Sequence, residues 1–168
     1  MSVILLADDS PHAQRMGERI LREEGYQVAC VEDGETAALR LPEVDPDVVI
    51  ADANLPGLSG MDLCRYVKTS CRHVRVILTA GLLEELDEAG ARGVGCDAVL
   101  RKPFEASVLT ETVRPLAREA QLARKTRAPA AAIVPAEEVR TAVERAIAAE
   151  MPRMVDEVTQ KVLLALGR

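Results

Sequence analysis

The chain has 168 residues, 48% of them hydrophobic and 29% charged, which excludes a disordered chain and fits one domain with a short appendage. It carries 27 acidic against 21 basic side chains, and this formal charge of −6 disfavours binding to a nucleic-acid backbone by net charge. Aromatic residues make up only 2% and Trp is absent, so single-stranded bases would find almost nothing to stack on.

The first hundred residues alternate between short apolar runs and helical segments. The runs are continuously apolar rather than alternating with polar residues, which is typical of parallel strands covered on both faces. Ser10 is a candidate N-cap with Pro11 at the first helical position, and Gly25 ends that helix. The predicted strands are Val3–Ala7, Tyr26–Val31, Asp47–Ala51, Val74–Thr79 and Ala98–Leu100, and the predicted helices are Pro11–Glu24, Glu35–Leu41 (before Pro42), Met61–Thr69, Leu82–Ala91 and a fifth from near Glu105.

Five strand–helix repeats within roughly 120 residues predict a doubly wound α/β domain with a five-stranded parallel sheet of the flavodoxin-like kind. Ligands of such a domain bind outside the carboxyl ends of the strands, where the strand order reverses. Pro115 is expected to kink or end the fifth helix, because proline cannot donate the backbone hydrogen bond.

The sequence changes character after residue 123, where the first domain is predicted to end. Residues 124–135 are basic and then rich in Ala and Pro, which indicates a linker. In residues 136–168 apolar side chains recur every three or four positions, as on one face of a helix, and Pro152 interrupts the pattern. A helix of this length needs its apolar face covered, so we expect the tail to dimerise the protein or dock it on a scaffold partner. Packing of the tail against the first domain is the alternative.

Targeting signals and cysteine usage favour a cytoplasmic location. The N-terminus lacks the basic start and long apolar stretch of a signal peptide, and no apolar run approaches the roughly 18 residues of a membrane span. The four cysteines stand at positions 30, 64, 71 and 96 without a Cys-x-x-Cys pair. Small buried side chains in a reducing compartment are the simplest interpretation.

Acidic side chains follow two strands that are predicted to be neighbours. Asp8 and Asp9 come directly after the first strand, and Asp52 follows the third. Carboxylates that converge at one sheet edge repel one another and shift toward their neutral forms unless a cation intervenes. Oxygen ligands of this kind suit Mg²⁺, so we predict a magnesium site here, with turn and cap roles for the aspartates as the alternative.

Thr79 ends the fourth predicted strand and Lys102 follows the fifth, which places both at the same sheet edge. A hydroxyl donor and an ammonium beside a carboxylate–metal cluster are what a bound phosphoryl group requires. Each residue alone has an ordinary explanation, a strand-forming Thr and a surface Lys, but with the three acids they form a constellation.

The segments that carry these residues resemble the receiver domain of two-component response regulators over roughly residues 2–120. They are Leu-Leu-Ala-Asp-Asp-Ser, Val-Val-Ile-Ala-Asp-Ala-Asn-Leu-Pro-Gly-Leu-Ser-Gly, Val-Ile-Leu-Thr-Ala and Arg-Lys-Pro-Phe. The resemblance implies that the chain accepts a phosphoryl group from a sensor histidine kinase or a phosphotransfer protein. It implies a signalling protein that catalyses only its own phosphorylation and dephosphorylation, rather than an enzyme with an external substrate.

The resemblance also implies a role for each site residue. Asp52 would be the phosphoacceptor, Thr79 would bind a phosphoryl oxygen and Lys102 would pair with it. The magnesium ligands would be Asp8, Asp9, Asp52 and the backbone carbonyl of Asn54.

One position departs from the family pattern. Response regulators usually carry Tyr or Phe three residues before the lysine, and this chain has Val99 there. An aromatic rotamer switch is therefore absent from this position, and a change of output conformation would need another route.

Several other functions remain as alternatives. An aspartyl phosphatase would need a second Asp two residues after the nucleophile as a general acid, and Asn54 cannot donate a proton in that way. A nucleotide- or flavin-binding module would need a phosphate loop after the first strand, where Asp8 and Asp9 stand instead. A transcription-regulating response regulator is the main alternative, but the tail shows no helix-turn-helix pattern and nucleic acid is not an expected partner. A receiver that acts as a non-switching scaffold is a further alternative.

The tail itself resembles, over about 30 residues, the C-terminal oligomerisation helices of bacterial polar organising proteins. The segment concerned is Ala-Glu-Met-Pro-Arg-Met-Val-Asp-Glu-Val. This resemblance implies an output through protein–protein contacts or oligomerisation.

Overall fold

Ten elements alternate strictly between strand and helix in a computed structural model that describes residues 1–84 and 86–126. The strands are β1 (Val3–Ala7), β2 (Gln27–Val31), β3 (Val48–Asp52), β4 (Arg75–Gly81) and β5 (Ala98–Lys102), and the helices are α1 (Pro11–Glu23), α2 (Gly34–Val44), α3 (Gly60–Ser70), α4 (Glu88–Gly93) and α5 (Ala106–Thr126). All strand pairs are parallel, in the order β2-β1-β3-β4-β5. The predicted doubly wound, five-stranded α/β fold is confirmed.

Alternating strand residues build two apolar layers, one on each face of the sheet. On one face Leu5, Val49 and Leu78 pack against α2 and α3. On the other, Ile4, Ile50 and Ile77 pack against α1 and α5. Because both faces are covered, the central strands are apolar along their whole length, as the sequence indicated.

The start of α1 agrees with the sequence and the end of α2 does not. The Ser10 side chain caps α1 by accepting a hydrogen bond from the Ala13 amide, and Pro11 is the first helical residue. Helix α2, expected to stop before Pro42, continues to Val44 and is closed by Asp45, whose backbone is left-handed with φ 44°. The Asp45 amide donates to the Leu41 carbonyl at 2.9 Å, so the last turn is closed beyond the proline.

Helix α4 is shorter and starts later than the prediction of Leu82–Ala91. Its N-cap is Asp87, whose carboxylate accepts a hydrogen bond from the Gly90 amide at 2.9 Å. Leu82 and Leu83, which the prediction placed in the helix, are 71% and 96% exposed in the preceding turn. The Asp87 carboxylate stabilises the start of the helix by capping it, whereas Leu82 and Leu83 have no surface to pack on.

Helix α5 runs through Pro115 without ending there and continues to Thr126. Its buried residues lie on both sides of the proline, from Leu109 to Ala120, so packing outweighs the lost backbone hydrogen bond, which costs about 3 kcal/mol. Near its end, Arg124 contacts Asp45 and lies 3.3 Å from Asp47. Residues 124–126 are thus helical, whereas the sequence predicted a linker from 124.

The remaining linker residues and the predicted tail, 127–168, lie outside the residues that the structure describes. In the part of the chain that is described, no helix is long and apolar enough to span a membrane. The compact unit formed by residues 1–126 carries all of the site residues predicted above.

The loop after β3 depends on a glycine at the start of α3. A Cβ atom on Gly60 would lie 2.2 Å from the carbonyl oxygen of Asp52, a contact that forces the backbone to move. The Gly60 amide also donates to the Ala53 carbonyl at 3.1 Å. A residue without a side chain is therefore needed for α3 to begin against the end of β3.

We expect Gly60→Ala to destabilise the protein by roughly 1–3 kcal/mol, because overpacking would displace the end of β3. Gly93→Ala is the matched control, since no atom lies within 4 Å of a Cβ placed there. Thermal unfolding followed by circular dichroism measures both. A melting temperature for Gly60→Ala equal to that of Gly93→Ala would show that the loop accommodates the methyl group.

Candidate functional site

The site is the polar continuation of one apolar layer of the sheet. Along each strand every second residue faces α1 and α5, and at the carboxyl ends these positions change from apolar to polar. The rows are Ile4, Leu6 and then Asp8; Val48, Ile50 and then Asp52; Ile77 and then Thr79; and Ala98, Leu100 and then Lys102. A period of two therefore brings four chemically active side chains to one face and one edge.

Strand register fixes their neighbours. Asp52 is the direct partner of Thr79 across β3 and β4. Asp8 follows the Ala7–Ala51 pair and so stands next to Asp52. Lys102 pairs in register with Gly81, two residues beyond Thr79, and its long side chain reaches back across the edge.

The Lys102 ammonium joins the two buried carboxylates. Its Nζ lies 2.6 Å from Asp8 Oδ2 and 2.5 Å from Asp52 Oδ2. The carboxylate side chains are only 5% and 8% exposed, so their charges would repel strongly without a cation between them. Burial by itself lowers the pKa of Lys102, but the hydrogen bonds to Asp52 and Asp8 outweigh it and raise that pKa above its usual value of 10.5. Lys102 is thus a fixed positive charge at neutral pH.

The second oxygen of each carboxylate is held by the loop that follows it. Asp8 Oδ1 accepts a hydrogen bond from the Ser10 amide at 2.9 Å, and Asp52 Oδ1 accepts one from the Asn54 amide at 2.8 Å. Both carboxylates therefore present their Oδ2 atoms to the same point. Gln14, which the sequence did not single out, donates to the carbonyls of Asp8 and Val31 and ties this loop to β2.

The other predicted residues lie at the same edge but are less constrained. Thr79 is buried, whereas Asp9 and the side chain of Asn54 are exposed. Within the described residues, no three His, Cys, Asp or Glu side chains lie close enough together to hold a metal ion. The donor set still fits Mg²⁺, which usually takes one or two carboxylates and completes its octahedron with water and phosphate oxygens. Asp8 and Asp52 supply those two carboxylates.

An apolar cavity of about 370 Å³ adjoins the site between α1 and the start of α5. Asp8, Thr79 and Lys102 line its polar end, and Met16 and Phe104 are among the apolar residues that line the rest. Sequence reasoning did not assign a role to either apolar residue. Their signal was weak, since a Met on an amphipathic helix and a Phe after Lys-Pro are ordinary core residues.

The opposite face of β5 carries Val99 and Arg101. Val99 packs against the cluster under α2 and α3, on the face away from the site. The Arg101 guanidinium donates to the Glu84 carbonyl at 2.8 Å and reaches Glu88 at 3.3 Å. Arg101 was also missed by the sequence analysis. It is the neighbour of Lys102 in β5, and its contacts connect the turn after β4 to that strand.

Comparison with known proteins gives one consistent result. A family model described as response regulator receiver domain matches residues 4–114. The DNA-binding response regulator MtrA of Mycolicibacterium smegmatis is 35% identical over 111 residues, which are 66% of this chain and 48% of that protein. The chain thus aligns with about half the length of this curated relative.

Solved structures agree. A response regulator receiver domain protein of Clostridium thermocellum is 27% identical, with a TM-score of 0.68 over 73% of this chain and 98% of the other. A CheY-like receiver domain protein of Methanospirillum hungatei has the same TM-score of 0.68 at 20% identity over 73% and 98% of the two chains, which supports the fold alone.

We expect Lys102→Ala to lower the stability by about 2 kcal/mol at neutral pH in metal-free buffer, because two buried carboxylates lose their shared cation. In the wild type the Lys102 contribution is present below pH 10.5 and is lost only as the pH rises through the raised pKa.

Lys68→Ala is the control for this measurement. It also removes a lysine from an ion pair, but Asp97 keeps Arg75 at 3.5 Å as a second partner. Added Mg²⁺ should raise the melting temperature of Lys102→Ala more than that of Lys68→Ala. Equal responses of the two variants to Mg²⁺ would show that the cation does not act at the carboxylate pair.

Proposed function

The chain belongs to the response regulator receiver domain family, and we propose that it receives a phosphoryl group on Asp52 from a histidine kinase or a phosphotransfer protein. The observation that carries this proposal is the shared ammonium of Lys102 between Asp52 and Asp8. It sets a positive charge beside the buried carboxylate oxygen that would act as the nucleophile. Family membership supports the kind of donor.

The transfer needs an oxygen nucleophile and charge neutralisation. Asp52 attacks the phosphorus of a phosphohistidine, the new O–P bond forms as the P–N bond breaks, and the donor imidazole leaves with the electron pair. Lys102 offsets the negative charge that the product adds at this edge. The Thr79 hydroxyl, paired in register with Asp52, donates a hydrogen bond to a phosphoryl oxygen.

We further propose that Asp8, Asp9, Asp52 and the Asn54 backbone carbonyl are the ligands of Mg²⁺ in this chain. The bound cation would neutralise phosphate oxygens during transfer. Asp9 is exposed, so its carboxylate can turn toward the edge without breaking a buried contact. Lys102 would keep the Asp8 and Asp52 carboxylates oriented toward this edge.

Hydrolysis of external phosphate esters is not part of the proposal. Two residues after Asp52 the chain has Asn54, whose amide cannot act as the general acid that protonates a leaving alkoxide. The protein would therefore catalyse only its own phosphorylation and dephosphorylation. A cytoplasmic location is part of the same proposal.

For the output we propose protein–protein contact through residues 136–168, by self-association or by docking on a scaffold. The support is the apolar stripe of that segment and the Ala/Pro-rich stretch before it. The relative from Mycolicibacterium smegmatis is named a DNA-binding regulator, but the alignment covers only 48% of it. Regulation of transcription and a non-switching scaffold role are the alternatives.

We expect incubation with acetyl phosphate or phosphoramidate to add one phosphate (about 80 Da) to the intact protein when Mg²⁺ is present. Asp52→Ala should abolish the addition and Asp9→Ala should abolish the Mg²⁺-dependent addition, whereas Glu43→Ala, which removes an exposed carboxylate near the end of α2, should leave the addition unchanged. Intact mass spectrometry measures the product. Equal phosphorylation with and without a chelator, or in Asp52→Ala, would contradict the proposed chemistry.

A separate measurement addresses the output. Light scattering should give a mass above that of a monomer for the full chain and a monomer mass for residues 1–126, with the phosphodonor changing only the former. Monomers in both cases, together with protection of the tail from protease, would mean that the tail packs on the receiver. Salt-sensitive, site-specific DNA binding by the full chain would favour the transcriptional alternative.

A further inference from the structure

Two thiols meet on the sheet face opposite the carboxylate site. Cys64 lies in α3 and Cys96 lies in the loop before β5, and both belong to the apolar cluster under α2 and α3. We propose that Cys64 and Cys96 are a redox pair that forms a reversible disulfide when the protein is exposed to a hydroperoxide. This proposal goes beyond the receiver function and does not depend on it.

The geometry places the two sulfurs against each other. The Cys64 and Cys96 side chains share a hydrogen bond. Each thiol also donates to backbone carbonyls: Cys64 Sγ lies 3.9 Å from the oxygen of Val94, two residues before Cys96, and Cys96 Sγ lies 2.9 Å from the Ala98 oxygen and 3.7 Å from the Val76 oxygen. Both cysteines are free thiols. A disulfide requires the sulfurs to approach only from hydrogen-bonding distance to bonding distance, about 2.05 Å.

Exposure and acidity give the two thiols different roles. Cys64 is 0% exposed, whereas Cys96 is half-buried and open to a small oxidant. The hydrogen bond from Cys64 lowers the pKa of Cys96 and raises that of Cys64. Cys96 is therefore the thiol that carries thiolate character and meets the oxidant first, and Cys64 is placed to resolve the product.

The reaction balances in two steps. The Cys96 thiolate attacks one oxygen of the hydroperoxide, the S–O bond forms, the O–O bond breaks, and the other oxygen leaves as hydroxide or alkoxide and takes up a proton. Cys64 then attacks the sulfenic sulfur, the S–S bond forms, the S–O bond breaks, and water leaves with the Cys64 proton. Two thiols lose two electrons in total, the hydroperoxide gains them, and a dithiol restores the pair by exchange.

The other two cysteines are poor competitors for this pairing. Cys30 packs in the cluster on the other face of the sheet, and burial raises its pKa to about 11. Cys71 caps the end of α3, two helical turns after Cys64 and roughly 10 Å from it along the axis, which is beyond the span of a disulfide with Cys64. Cys64 is the thiol whose hydrogen bond reaches Cys96.

The bridge would close the chain segment 64–96, which contains β4 and α4. The disulfide would link α3 to the loop just before β5. Helix α3 starts next to Asp52, and β5 ends at Lys102. Because a cross-link restricts the unfolded chain, the oxidised protein should melt several degrees higher than the reduced protein.

Peptide mapping of the full chain tests the pairing directly. The four cysteines fall in four different tryptic peptides: 23–40 with Cys30, 41–65 with Cys64, 69–72 with Cys71 and 93–101 with Cys96. After brief treatment with hydrogen peroxide, and before any alkylation, we expect the intact protein to lose about 2 Da. After alkylation of the remaining thiols, the digest should contain peptide 41–65 linked to 93–101, and dithiothreitol should reverse both changes.

Variants sharpen the result. Cys96→Ser and, separately, Cys64→Ala should lose the linked peptide, while Cys30→Ser and Cys71→Ser should keep it. Asp52→Ala should also keep it, which separates this outcome from the phosphoacceptor proposal. Links between other cysteines, links only between two chains, or conversion of Cys96 to a sulfinic acid with Cys64 unchanged would each overturn the proposal.

Discussion

One ammonium group between two buried carboxylates organises the whole carboxyl edge of this sheet. Lys102 is 94 residues from Asp8 and 50 residues from Asp52, so the contact exists only when all the intervening strands are in register. The carboxylates in turn hold the loops after β1 and β3 through the Ser10 and Asn54 amides. The arrangement therefore combines a rigid framework with carboxylate oxygens that can react.

The fold and four members of the site were predictable because both follow from simple periodicities. Continuous apolar runs indicate parallel strands, and residues that follow such strands must meet at one edge. Asp8, Asp52, Thr79 and Lys102 satisfy both conditions. What the sequence could not supply is the direction of a flexible side chain: Lys102 bridges the two aspartates, while Asp9, adjacent in sequence to Asp8, is exposed because the strand period turns it away.

Other misses arise where a tertiary contact or a stronger local signal overrides a local rule. Pro115 predicted a break, but buried residues on both sides of it keep α5 continuous. Leu82 and Leu83 predicted helix, but Asp87 starts α4 later. The meeting of Cys64 and Cys96 could not be predicted, because 31 other residues separate them and only the packing of α3 on the sheet brings their side chains together.

Helix α5 begins four residues after Lys102 and contacts, at its other end, the amino-terminal edge of the same sheet. The Gln121 side chain donates a hydrogen bond to the Ser2 hydroxyl just before β1. Arg124 forms ion pairs with Asp45 and Asp47 just before β3. At about 1.5 Å per residue, α5 is roughly 30 Å long and runs from the carboxyl edge of the sheet to its amino-terminal edge. Displacement of Lys102 would therefore shift the start of α5. A stiff helix would transmit that shift to its other end, where Arg124 contacts Asp45 and Asp47.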